Sequence, residues 1–179
     1  MEKVLVIGCP GAGKSTFARK LRDRTSLPLY YLDMIWHRAD GTNISREAFV
    51  RQVSEIAGRE QWIIDGNYLN SLEMRLQECD TVFLLDYPLE LCLAGAKERI
   101  GEKREDLPWI ETEFDQEFRR WIVDFPKEQL PRIYRMLEKY SDNRELFVFR
   151  KREDAEAYLA LLEQRKMSRE TKGKRLWIF

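Results

Sequence analysis

The chain has 179 residues, 44% hydrophobic and 35% charged, a composition that predicts one globular domain with a sizeable core and excludes a disordered chain. Lys and Arg number 31 against 31 Asp and Glu, so no global field draws the protein to nucleic acid or to an anionic membrane. Cys9, Cys79 and Cys92 lack any CxxC pairing, which excludes a disulfide framework or zinc site, and without a signal-like or membrane-spanning run the expected location is the cytoplasm.

In chain order, KVLVIG (Lys3 to Gly8) is a short β-branched run of the kind buried on both faces of a sheet, and predicts the central strand. From Lys14 to about Arg24, Phe17, Ala18 and Leu21 recur at helical spacing. LPLYYLD predicts a second strand ending at Asp33, and Ser45 is placed to cap a helix whose buried face is Phe49, Val53, Ile56 and Ala57. The alternation continues with strands QWIID and TVFLLD, a helix from about Leu89 to Ile100, a final strand ELFVFR and the amphipathic EDAEAYLALLEQ. Five strands separated by helices predict a three-layer α/β fold with a five-stranded parallel sheet and right-handed crossovers. Between Gly101 and Asn143 the pattern breaks. GEKREDLP, a lid of about residues 100–108, has no apolar period, and a helical pattern resumes through Ile110, Phe114, Phe118, Trp121, Ile122 and Phe125.

Gly8, Gly13, Lys14 and Ser15 satisfy GxxxxGK[ST], with a strand before and a helix after. Such a loop aims backbone N–H groups at phosphate oxygens, and the following helix adds its positive N-terminal dipole. The expected nucleotide-binding residues are therefore Gly8, Cys9, Pro10, Gly11, Ala12, Gly13, Lys14, Ser15 and Thr16. Lys14 is placed for the β- and γ-phosphates of ATP and Ser15 for Mg²⁺. An acid must orient the metal. Asp65, closing QWIID, is the candidate, because in P-loop kinases the third strand usually neighbours the first; Asp86, before Tyr87-Pro88, reads as a helix cap. Asp33, on the carboxyl edge of the sheet where open α/β folds bind ligands, is the candidate to position or deprotonate an acceptor hydroxyl. Trp36 and His37 follow it as pocket walls, although His37 also reads as a surface or packing residue. Arg99, Lys103 and Arg104 form a basic cluster suited to the charge of a phosphoryl group, with Arg99 and Arg104 the catalytic candidates.

GCPGAGKST, YYLD with Trp36 beyond it, WIIDGNY, VFLLDYP and REDLPWIETEFDQEF together resemble the adenylate-kinase-related family of DNA topology modulation proteins, the FlaR-like proteins, over about residues 3–150. The resemblance implies a P-loop kinase fold, ATP and Mg²⁺ as cofactors, a lid around Arg99 to Arg104, an adenine site near Arg150 to Arg152, and a nucleotide-handling phosphotransferase or ATPase. One departure matters. In adenylate kinases the strand-end motif continues as Phe-Pro-Arg, whose arginine grips the acceptor's phosphate; here Asn67-Tyr68-Leu69 follows Asp65-Gly66. The acceptor need not be a nucleoside monophosphate, and Arg46, Arg51 or Arg75 are the replacements available. The expected function is transfer of the ATP γ-phosphate to a small-molecule acceptor; the alternative is an ATP-binding regulator of DNA topology. For the alternative the sequence offers the basic tail 165–179, whose few cations predict only weak, salt-sensitive DNA binding.

Overall fold

The structure, a computed structural model, describes residues 1–142 and 144–173, with side chains as far as Arg165. Its five strands are β1 (Lys3–Gly8), β2 (Leu29–Tyr31), β3 (Trp62–Asp65), β4 (Thr81–Leu85) and β5 (Glu145–Phe149). They form one parallel sheet in the order β2-β3-β1-β4-β5. Residues Val4 to Gly8 and all of β3 and β4 are buried, whereas the edge strands β2 and β5 are only partly covered. That is the pattern of a sheet with helices on both faces, where near-continuous Val, Ile and Leu runs occupy the centre.

The helices divide by their contacts. Helices α1 (Lys14–Thr25) and α8 (Arg152–Gly173) pack on one another. In the other group α3 (Arg46–Ala57) packs on α4 (Leu69–Glu78), α4 on α7 (Leu130–Lys139), α7 on α6 (Gln116–Glu128) and α6 on α5 (Leu89–Glu98). On the α1/α8 side the core is aromatic. Phe83 lies 5.0 Å from both Phe17 and Tyr158 and stacks on Phe147 at 5.1 Å, while Phe149 closes on Phe17 at 5.7 Å. Such pairs add about 0.5–1.5 kcal/mol each beyond the area they bury. Phe17 therefore ties the helix that follows the glycine-rich loop to the sheet.

Three boundaries depart from expectation. The second strand stops at Tyr31, the last residue paired with β3 (Tyr31 opposite Asp65), because the chain of β3 turns away at Gly66. Residues Leu32–Trp36 then form the short helix α2, with Leu32 fully buried, so Asp33 stands in a helical first turn and not at a strand end. Helix α4 falls in a stretch with no predicted element; Leu72, Arg75 and Leu76 are its buried face. The helical pattern expected from Trp109 begins only at Gln116, where Asp115 caps it by accepting from the Phe118 N–H at 2.7 Å. Residues 101–115 are turns and loop, and they carry the lid. The side chains of the basic run beyond Arg165, and Lys174 to Phe179 altogether, lie outside the described residues. Among the described residues no helix is long and apolar enough to cross a membrane.

Candidate active site

The glycine-rich loop links β1 to α1. Gly11 has φ 79°, and a Cβ there would sit 2.0 Å from the Cys92 carbonyl oxygen, so only glycine lets the loop lie against α5. Gly13 takes φ 88° as the residue preceding α1, and its side has open space, so conformation alone demands glycine. Cys9, Pro10 and Ala12 are buried in the loop's underside, whereas Gly13 and Thr16 are exposed. The neighbouring Cys92 thiol and burial push the Cys9 thiol up, which disfavours a thiolate in the loop. Lys14 Nζ donates to the Cys9 carbonyl at 3.1 Å, and Thr16 Oγ1 accepts from Arg19 at 3.2 Å.

The DGNY segment after β3 braces this loop. Asn67, buried, accepts from the Gly8 N–H at 3.0 Å and donates to the Gly8 carbonyl at 2.8 Å, so its amide continues the β3–β1 ladder by one rung. Arg75, fully buried, donates to the carbonyls of Gly66 (2.9 Å), Tyr68 (3.2 Å), Ser71 (3.2 Å) and Asn67. Burial lowers its pKa to about 9. Arg75 is thereby spent on backbone and is not the acceptor-phosphate contact considered for it. Arg51 is exposed and does not line the site; Arg46 does.

One cavity of about 830 Å³ collects Lys14, Ser15, Asp33, Asp65, Arg99 and Arg104 with Pro10, Arg46 and a set of aromatic walls. Asp65 is 5% exposed and its Oδ1 has no hydrogen-bond partner. Burial raises its pKa to about 6 against the pull of Lys14, with Asp33 and Asp106 adding to the rise. The buried, unpartnered Oδ1 and the nearby Ser15 hydroxyl are oxygen donors of the kind Mg²⁺ takes, so the residues fit that ion. Among the described residues no group of three or more His, Cys, Asp or Glu could hold a metal unaided. Asp33 Oδ1 accepts from the Tyr68 hydroxyl at 2.7 Å, leaving Oδ2 for a ligand, and burial followed by the Asp33 charge raises the phenol's pKa. Asp86 is not the helix cap expected of it. Pro88 precedes α5, and Asp86 instead accepts from Tyr134 at 2.7 Å and pairs with Arg150 at 3.0 Å. Arg152 lies beside Gly95, against the loop.

The aromatic walls come from three elements. Trp36 meets Phe49 edge-on at 5.3 Å and Tyr68 at 6.2 Å. His37 is neither isolated nor on the free surface: its Nδ1 lies 2.7 Å from Asn43 Oδ1 and its ring meets Trp109 of the lid edge-on at 4.8 Å. The lid is closed by acids that carried no role in the sequence reading. Glu111 pairs with Arg99 at 2.9 Å and Arg104 at 3.5 Å, and Asp106 pairs with Arg104 at 3.7 Å and Arg19 at 3.6 Å. Both cationic candidates thus have carboxylate partners, whereas Lys103 is exposed. Arg104-x-Asp106 and the later Glu111 are present in REDLPWIE, but alternating charge in a loop reads first as a solvated face.

No protein-family model matches the chain, and no curated protein matches it significantly. Among solved structures it is similar to a shikimate kinase from Acinetobacter baumannii in complex with shikimate, at 17% identity, with 94% of each chain covered and a TM-score of 0.58. At that identity the likeness establishes architecture, and the architecture is the α/β P-loop fold with a five-stranded parallel sheet.

Proposed function

We propose that the protein is an ATP-dependent phosphotransferase that moves the γ-phosphate of ATP to a hydroxyl of a small-molecule acceptor. The observation that carries this reading is the convergence, in one cavity, of Lys14 and Ser15 of the glycine-rich loop with two chemically distinct aspartates, the buried Asp65 with its unpartnered Oδ1 and the tyrosine-anchored Asp33. The loop's N–H groups and Lys14 bind the phosphates, and Ser15 with Asp65 holds the cation. Bound Mg²⁺ neutralises charge on the β- and γ-phosphates. Asp33 holds the acceptor hydroxyl through Oδ2 and takes its proton as the oxygen bonds to γ-phosphorus and the bond to the β–γ bridging oxygen breaks, releasing ADP. Arg99 and Arg104 draw the transferred group's charge once they exchange Glu111 for phosphate oxygens. The DGNY and REDLPWIE motifs support kinship with the FlaR-like proteins. Arg46 and Arg132 are the other arginines of the lining, and both are exposed, which favours an acceptor bound through its hydroxyls over a nucleoside monophosphate.

The test is a phosphate-acceptor screen with ATP and Mg²⁺ over nucleosides, nucleoside monophosphates, polyols and hydroxy acids, scored against background hydrolysis. Asp33→Asn is expected to leave ATP affinity within about twofold and to cut transfer by roughly 10²–10⁴, the usual contribution of a general base. Loss of ATP affinity with transfer spared would exchange the two aspartate roles or remove both.

A further inference from the structure

Asp106 is a lid residue that touches the glycine-rich loop. Its Oδ2 accepts the Ser15 Oγ–H at 3.0 Å, and the residue is 5% exposed although it stands in a loop otherwise rich in solvated charge. Arg19 of α1 and Arg104 of the lid flank it at 3.6 and 3.7 Å. A serine hydroxyl has one proton and two lone pairs. With the proton committed to Asp106, the hydroxyl can offer any other neighbour only a lone pair, the form a cation ligand must take. The two arginines hold the carboxylate in place and offset its charge, so its approach does not repel a nucleotide's phosphates.

We infer that Asp106 is a positioning residue that orients the Ser15 hydroxyl as a ligand for the nucleotide's divalent cation, so that closing the lid and completing the metal site are a single event. The inference rests on the nucleotide-binding reading above and adds to it a residue that acts on the cation through Ser15. By linkage the coupling runs both ways: a lid that raises metal affinity when closed is itself closed by the metal, by the same factor. A carboxylate that merely occupied Ser15 and competed with the cation would produce effects of the opposite sign.

The experiment measures binding of ADP alone and of Mn²⁺·ADP by calorimetry, with Mn²⁺ paramagnetic resonance as a second readout, for the wild-type protein, D106A, D106N, S15A and the S15A/D106A double variant. D106A is expected to weaken Mn²⁺·ADP about tenfold, the lower end of the cost of removing a ligand's outer partner, while metal-free ADP binds as before. D106N retains an acceptor oxygen of the same shape and recovers part of the loss. The double variant binds no worse than S15A, because the two residues act as a unit. Trypsin cleavage at Lys103 and Arg104 is slowed by Mn²⁺·ADP in the wild-type protein and not in D106A. Unchanged or tighter Mn²⁺·ADP binding in D106A, equal losses with and without metal, or losses that multiply in the double variant overturn the inference. A wild-type protein that binds neither ADP nor Mn²⁺·ADP sinks the nucleotide reading, and this inference with it. Thermal melts accompany each variant, and if D106A does not fold, D106N carries the same comparison.

Discussion

Asp65 and Arg75 are both buried ionisable groups, and they illustrate two ways a fold can hold charge. Arg75 is surrounded by backbone carbonyl acceptors, so its guanidinium is satisfied without a carboxylate. Removing it strips a charged donor from the DGNY turn. Arg75→Ala is expected to lower unfolding free energy by about 3 kcal/mol, within the range for breaking a buried charged network, and Arg75→Lys to recover part of it; the urea midpoint measures this, and an unshifted midpoint in Arg75→Ala would contradict the assignment. Asp65 lacks such partners. Its pKa rises from 3.8 to about 6 through burial, so below about pH 4 it is protonated in both folded and unfolded states and costs nothing. As pH rises through 6 the fold loses stability, by about 3 kcal/mol for a shift of some two units. Without ligand, Asp65→Asn should therefore raise the melting temperature above pH 7, and the gain should vanish near pH 4. A gain that is instead largest at acid pH would mean that the carboxylate is partnered.

At the scale of elements, the lid 101–115 carries neither strand nor helix. It is joined to the cavity walls by the His37–Trp109 ring contact, to the loop by the Asp106–Ser15 bond and to the end of α5 by the Glu111–Arg99 pair, and is tied internally by the Glu111–Arg104 pair. The Glu111 pairs are largely shielded and hold the lid arginines, whereas the aromatic contact over the cavity also excludes water. Trp109→Ala should speed tryptic cleavage at Lys103 and Arg104 severalfold while leaving the global melt within about 1 kcal/mol, because cleavage follows local opening and the lid contributes little to the core. Mass-spectrometric mapping of the first cuts checks it; first cuts elsewhere would place the weak element outside the lid.

For the whole molecule, the proposed binding reaction predicts a linkage effect. A ligand bound only by the folded state stabilises it by RT ln(1 + [L]/Kd), about 2.7 kcal/mol at a hundredfold excess over Kd. For a chain of this length that corresponds to a rise of roughly 5–10 °C in melting temperature. A non-hydrolysable ATP analogue with Mg²⁺ should produce such a rise in the wild-type protein and little in Lys14→Ala, whose unliganded melt should match wild type, since Lys14 Nζ makes one hydrogen bond to its own loop. Equal rises in the two proteins would remove the phosphate role of Lys14.

Local sequence determined the five-stranded parallel sheet and the strand–loop–helix at its centre. A β-branched run buried on both faces and glycines at positive φ are demands that a few consecutive residues satisfy by themselves. The side of the sheet on which Asp33 and Asp65 stand was legible for the same reason, since parallel strands bring their carboxyl ends to one edge. Tertiary structure decided the rest. Where β2 ends depends on where its partner β3 turns, so the residues of β2 carry no mark of it. Asp86 was read as a cap because capping is a local pattern, while its actual partners, Tyr134 and Arg150, are 48 and 64 residues away in sequence. The contacts of Asn67, Asp106 and Glu111 were hidden, and that of Arg75 misassigned to an acceptor, for a related reason: a charged or amide side chain looks available to solvent or ligand in sequence until the fold removes the water around it. Burial then turns each into a specific contact, to carbonyls, to Gly8, to Ser15 and to the lid arginines, because a polar group taken out of water must find a partner within the protein.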